Sequence, residues 1–158
     1  DKEMFDCLSH SDVQFGGDQN VSPFYYCINS LHSATHNGHV NIMKLLLDKG
    51  AYVNGGGSGY HIPLYTALLK GHTSAVQLLI DYGACIDMRY TRYRYTPLGC
   101  AVDHKYVQIT KMLLENGADI EEVNSQRKSA LSIAKDDAMK QLLNSYKVEE
   151  EARVCVIQ

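Results

Sequence analysis

The most constraining feature of this chain is a repeat with a period of 33 or 34 residues. Leucines recur at Leu31, Leu64 and Leu98, and a further step of 33 residues reaches Leu131. Each of the first three leucines is followed at the same distance by a Gly-Ala pair, at 50–51, 83–84 and 117–118. Because these segments superimpose without a gap, the period predicts a repeat architecture with one small supersecondary element per unit. The segment after Leu131 keeps the start of the pattern and loses its Gly-Ala ending.

Each unit is predicted to contain two short helices. Thr96 suits the N-cap of the first helix, and Pro97 suits the first helical position, where a missing N–H has no cost. A Gly-His pair at 38–39 and again at 71–72 predicts a break between the helices, since glycine tolerates positive φ. The apolar spacing that follows predicts a second helix. Such a unit cannot bury its apolar face alone, so the units must stack.

The period, the Thr-Pro-Leu start, the Gly-His break and the "LLL…GA.VN" ending together resemble the ankyrin-repeat family. The resemblance covers residues 28–146, as three full repeats and a terminal one. It implies an all-α solenoid of stacked helix-turn-helix units that acts as a non-catalytic protein–protein interaction module. It also implies that His32, His39 and His72 are scaffold residues that make hydrogen bonds, not metal ligands.

The two ends of the chain depart from the repeat. Residues 1–27 are predicted to form an irregular segment that caps the first repeat; the alternative is a connection to a preceding domain. Residues 147–158 are predicted to be a C-terminal tail. Because the chain begins at Asp1 and not at Met, we expect it to be part of a longer protein.

Composition and motifs exclude several classes of function. The net charge of -3 argues against a nucleic-acid-binding protein. The sequence contains no HExxH, P-loop, dinucleotide or Ser/His/Asp signature, so we expect neither an enzyme nor a cofactor or small-molecule substrate. The five cysteines lack metal-ligand spacing, so we expect no metal site and reduced thiols in a cytoplasmic or nuclear protein. No apolar run is long enough to cross a membrane.

The segment "RYTRYRY" at 89–95 is the candidate binding feature. It lies between the second and third repeats, where Arg94 occupies a position that is glycine in the ankyrin pattern. Tyrosine and arginine are enriched among interface residues that dominate binding energy. The structural alternative is that the tyrosines pack on adjacent tips and the arginines solvate them. We favour binding, because a connection that needs only solubility would use small polar residues.

In the ankyrin family, partners usually lie along a concave groove formed by the tips and the exposed side of each first helix. Carried onto this sequence, the groove has a basic and aromatic centre and an acidic C-terminal end. It predicts a protein partner, bound as a peptide or loop with acidic and basic segments. The predicted partner-binding residues are Tyr60, Tyr65, Leu69, Tyr90, Arg92, Tyr93, Arg94, Tyr95, Asp103 and His104.

Two alternative functions remain open from the sequence. The last four residues match a C-a-a-X box, which would make Cys155 a farnesylation site and the protein a peripheral membrane adaptor. The acidic stretch before the box argues against stable anchoring. Alternatively, Asp103, Glu121, Asp136 and Asp137 could hold a basic, histone-like tail in the nucleus.

Overall fold

The computed structural model describes residues 23–55, 62–87, 96–124 and 126–156, with side chains described from Ser30 to Val148 of these ranges. All regular structure in the described residues is α-helical, so the predicted all-α fold class is confirmed. The described residues contain eight helices, namely α1 (Pro23–His36), α2 (Val40–Asp48), α3 (Pro63–Lys70), α4 (Thr73–Asp81), α5 (Pro97–Asp103), α6 (Val107–Glu115), α7 (Ala130–Ile133) and α8 (Asp137–Val156).

The chain divides into two compact units, Asp1–Cys85 and Ile86–Gln158, which are described separately. In the first unit, α1 packs on α2 and α3 packs on α4, while α1 also contacts α3 and α2 contacts α4. First helices therefore pack on first helices, and second helices on second helices. In the second unit, α5 packs on α6 and α7, and α7 packs on α8.

The start of the first helix in a repeat has the predicted capping. The Thr96 hydroxyl accepts a hydrogen bond from the Gly99 amide at 3.0 Å, and Pro97 is the first residue of α5. Pro63 begins α3 in the same way, after an extended Ile62 that lacks a capping side chain. The Thr-Pro-Leu motif therefore begins the helix by capping, whereas in the second repeat proline geometry replaces the cap.

The "LLL…GA" motif ends each second helix with one repeated hydrogen bond. The amides of Ala51, Ala84 and Ala118 each donate to a carbonyl five residues earlier, at 2.9 Å in all three repeats. The glycine before each alanine has φ between 78° and 88°, which only glycine adopts without strain. This is why the Gly-Ala pair recurs at the same distance after each repeat leucine.

The core of each unit consists of the apolar positions that recur with the repeat. The largest fully buried apolar side chains of the first unit are Leu31, Met43, Tyr65, Leu68, Val76 and Leu79. Those of the second unit are Leu98, Ile109, Leu113, Met139 and Leu143. Several buried positions recur at the repeat period, as Leu31, Leu64 and Leu98 do, so the period accounts for part of the core.

Two helices extend past the predicted bounds of the repeat domain, residues 28 and 146. α1 begins at Pro23, five residues before the predicted start of the repeat domain at 28. α8 runs to Val156, through most of the region predicted as a tail from 147. The first helix of the first repeat is thus 14 residues long, whereas α3 and α5 have 8 and 7 residues. Repeat alignment cannot predict such extensions, because they have no counterpart in the other repeats.

Candidate partner-binding surface

Four of the predicted partner-binding residues lie in the part of the chain that the structure describes. Tyr65 and Leu69 belong to α3 of the first unit, and Asp103 and His104 follow one another at the end of α5 in the second unit. The remaining six are outside the described residues, so their role stays a prediction. These are Tyr60, Tyr90, Arg92, Tyr93, Arg94 and Tyr95.

Tyr65 is a core residue, so its predicted role as part of an exposed aromatic surface is wrong. Its side chain is only 2% exposed, and every residue of α3 from Pro63 to Leu68 is buried. The first turn of this short helix lies inside the first unit on all sides. Tyr65, two residues after Pro63, therefore belongs to the core, and its side chain is not accessible to a partner.

Leu69 is the exposed apolar residue that the sequence predicted. Its side chain is 44% exposed, directly after the buried run of α3. The same repeat position holds His36 in the first repeat and Asp103 in the third. Both of those polar side chains reach solvent at least in part. This repeat position is thus accessible to solvent in all three repeats. Only in the second repeat is it occupied by a large apolar side chain.

Asp103 and His104 form the corresponding surface of the second unit. The Asp103 carboxylate accepts a hydrogen bond from Lys135 Nζ at 2.9 Å, which links α5 to the segment between α7 and α8. The His104 ring lies on the Tyr106 ring with centroids 5.5 Å apart and planes inclined by 21°. His104 Nδ1 also lies 3.0 Å from the Cys100 carbonyl oxygen. This surface is therefore polar and aromatic, with both predicted residues held by neighbours within the unit.

The acidic residues proposed to hold a basic tail already have partners. Glu121 accepts a hydrogen bond from Lys147 Nζ at 2.5 Å, and Asp137 lies 3.7 Å from Lys140 Nζ. Asp136 accepts from the Met139 amide at 2.9 Å, as an N-cap does. Together with the Asp103–Lys135 pair, these contacts engage all four carboxylates, three with lysines and Asp136 with a backbone amide.

Two of the three histidines that the resemblance assigned to the scaffold, His32 and His72, make contacts between repeats. His32 Nδ1 lies 3.3 Å from the Thr66 hydroxyl, and His72 Nε2 lies 3.1 Å from the His36 carbonyl oxygen. Both contacts join the first repeat to the second. Within the described residues, no group of three or more histidine, cysteine, aspartate or glutamate side chains could hold a metal ion.

Two of the cysteines have described side chains, and they differ in state. Cys100 is a free thiol that is 1% exposed, and burial, with a smaller contribution from Asp103, raises its pKa from 9.0 to about 12. A thiol with such a pKa is not a nucleophile at neutral pH. Cys85 is disulfide-bonded, so the prediction of reduced thiols is wrong for this residue. Disulfide pairing depends on proximity in the fold, which the spacing of cysteines did not reveal.

Sequence reasoning missed a set of hydrogen bonds between the ends of second helices. The Tyr82 hydroxyl donates to Asp48, which also accepts from Lys44 Nζ at 2.8 Å. These bonds lower the pKa of Asp48. In the second unit, the Tyr146 hydroxyl donates to Glu115 at 3.2 Å. The separation of 34 residues between Asp48 and Tyr82, one repeat, is a signal that could have predicted the first pair, whereas Glu115 and Tyr146 are 31 residues apart and do not follow the period.

A second missed feature concerns the last residue of the "GA.VN" ending. Asn54 Oδ1 accepts a hydrogen bond from the Cys85 amide at 2.8 Å, one repeat further along the chain. Asp87 stands at the equivalent position and accepts from the Asp119 amide at 3.3 Å. Partial burial raises the pKa of Asp87, and the charges of Asp119 and Glu122 add to this effect. The motif therefore ends in a side-chain acceptor that ties consecutive repeats together.

These contacts between successive repeats are what an ankyrin array requires. The ankyrin-repeat family, as three copies of the repeat, matches residues 31–124, more than half of the chain. The chain belongs to the ankyrin-repeat family. Ankyrin repeats generally mediate protein–protein interaction and are typically non-catalytic. Comparison with curated proteins gives no significant match.

This ankyrin-repeat protein has, in its described part, no helix that is long and apolar enough to cross a membrane. Cys155 lies in the last turn of α8, whose side chains there are not described. Farnesylation of Cys155, and with it any contact with a membrane, stays a prediction.

Proposed function

We propose that this protein is a non-catalytic ankyrin module that binds a peptide or loop of a partner protein, as part of a larger adaptor or recruitment protein. The exposure of Leu69 is the observation that carries the proposal. An exposed leucine at a position that is polar in the neighbouring repeats gives no benefit to the free protein. It does favour binding, because a partner that covers it removes apolar surface from water.

The second unit supports the same proposal with different chemistry. His104, stacked on Tyr106, presents a flat aromatic surface with a polar edge, and Asp103 lies beside it. A partner with an apolar side chain would suit Leu69. The Arg/Tyr segment at 89–95 would add basic and aromatic contacts, as the sequence predicts.

The competing proposal of a basic-tail reader has less support, since its four carboxylates are engaged with lysines or a backbone amide.

We propose a cytoplasmic or nuclear location, and the disulfide at Cys85 is the observation that weighs against it, because disulfides are rare in reducing compartments.

Capture of partners from cell extract by variants of this chain tests the proposal. Leu69→Asp should reduce capture of a specific partner by tenfold or more, on the order expected for losing one apolar contact and burying a charge. Val107→Asp is the matched control, because Val107 is 49% exposed but lies on the second helix of its repeat. Equal capture by the wild type and Leu69→Asp would refute the proposed surface.

The Arg/Tyr segment needs its own variant. Replacement of Tyr93 and Arg94 by alanine should weaken partner binding and leave the melting temperature nearly unchanged. A large fall in melting temperature would instead support the view that these side chains only pack on neighbouring tips.

A further inference from the structure

The outer side of α2 carries an apolar stripe composed of Ile42, Leu45 and Leu46. The side chains of Ile42 and Leu45 are 50% and 59% exposed, and Leu46 is exposed in part. These three positions follow the i, i+3, i+4 spacing of one helix face. On the opposite side of the same helix, Met43 and Leu47 are buried in the first unit. The helix is therefore apolar on both sides, although only one side is covered.

The other repeats show what this stripe is for. The position of Ile42 is occupied by Ala75 and Ile109 in the next two repeats, where the residues are 0% and 1% exposed. The position of Leu46 is occupied by Leu79 and Leu113, which are both fully buried. The positions of Ile42 and Leu46 are thus covered in the second and third repeats. The stripe on α2 therefore has the apolar residues of a stacking surface. Among the described residues, no segment covers it.

We propose that the apolar stripe of α2 is the docking site of residues 1–22 of this same chain. This segment has apolar residues to place on the stripe, namely Met4, Phe5, Leu8, Val13 and Phe15. It also carries five acidic residues, at positions 1, 3, 6, 12 and 18, against one lysine. His39 and Lys49 lie in line with the stripe at its two ends and are exposed. An acidic, apolar segment complements such a stripe.

The connection is short enough to favour this occupant over any other. Residue 22 joins directly to Pro23, the first residue of α1, and α1 packs on α2. α1 is about 20 Å long, whereas 22 extended residues span up to roughly 70 Å. The segment can therefore reach the stripe along its full length. Being tethered, it is present at an effective concentration that is high, on the order of millimolar for a short flexible connection.

Amide hydrogen exchange on the whole 158-residue chain tests the proposal. In the wild type, amides within residues 1–22 should exchange at least about tenfold more slowly than in Ile42→Glu, because the glutamate places a charge on the stripe. Leu45→Glu should have the same effect and serves as a second, independent variant. Leu69→Glu is the matched control in the same unit, since Leu69 is 44% exposed but lies off the stripe. Helix content measured by circular dichroism should be equal in all four proteins.

Three outcomes would overturn the proposal. The first is unprotected exchange of residues 1–22 in the wild type. The second is protection that survives both Ile42→Glu and Leu45→Glu. The third is a wild-type dimer in sedimentation experiments that Ile42→Glu converts to a monomer, which would make a second copy of the chain the occupant. Protection that Ile42→Glu and Leu45→Glu abolish and Leu69→Glu retains, in a monomeric protein, supports the proposal.

Discussion

The buried thiol of Cys100 should make this protein unstable at alkaline pH. Its pKa in the folded protein is raised from 9.0 to about 12, chiefly by burial. In the unfolded chain the thiol ionises near its ordinary pKa, so the unfolded state loses the proton first. Stability that depends on the neutral thiol is therefore fully present below pH 9 and is lost as the pH rises through about 12.

The size of the effect follows from the pKa difference. Each pH unit between the two pKa values lowers the free energy of unfolding by about 1.4 kcal/mol. The protein should thus lose about 1.4 kcal/mol between pH 8 and pH 10 through Cys100 alone. Lysine and tyrosine side chains also titrate in this range, so the wild type must be compared with Cys100→Ala. The substitution removes the thiol and leaves every other titrating group in place.

Urea unfolding followed by circular dichroism, at pH 8, 9 and 10 and under matched redox conditions, gives the required free energies. Cys100→Ala is expected to be less stable than the wild type at pH 8, because it leaves a small cavity. The difference should shrink by about 1.4 kcal/mol at pH 10. Parallel pH dependence of the two proteins would refute the reasoning. Alkylation at pH 8 gives a second check: Cys100 should react about a thousandfold more slowly in the folded than in the urea-unfolded protein.

Two other substitutions are expected to stabilise the protein. Lys105 has φ of 60° at the turn between α5 and α6, where the second repeat has Gly71, so Lys105→Gly should raise the free energy of unfolding by about 1 kcal/mol. The reverse control, Gly71→Ala, should lower the free energy of unfolding. An unchanged free energy of unfolding in Lys105→Gly would contradict the argument that the Lys105 backbone is strained. Asp87→Asn should also stabilise at pH 7, by less than about 1 kcal/mol because the site is half-exposed. Since the pKa of Asp87 is raised, neutral Asp87 favours folding below pH 4 and loses this advantage as the pH rises. The gain from Asp87→Asn should therefore disappear in acid, and a gain that does not depend on pH would exclude the electrostatic cause.

The sequence alone determined the family and the local structure of each repeat. The spacing of Leu31, Leu64 and Leu98 predicts where helices begin, and the Gly-Ala pairs predict where they end. These features are local: a cap needs only Thr96 and the amide of Gly99, and a helix end needs only six consecutive residues. The scaffold role of His72 followed in the same way from its place in the repeat. Local hydrogen bonding thus explains why this part of the fold was predictable.

Burial of individual side chains was not predictable in the same way. Tyr65 and Leu69 are four residues apart on α3, and both were predicted to be exposed, yet they are 2% and 44% exposed. Asp103 was predicted as an open acidic contact, but it pairs with Lys135, 32 residues later. The disulfide state of Cys85 and the raised pKa of Cys100 were equally hidden.

The repeat period therefore fixes which residues form helices, while the packing of one repeat on the next decides what each position does. Ile42 and Ile109 are the same residue type at the same repeat position, and they are 50% and 1% exposed. No local property of the sequence separates them. The physical reason is that burial, ion pairing and desolvation depend on what lies beside a helix, and only the tertiary structure supplies that neighbour.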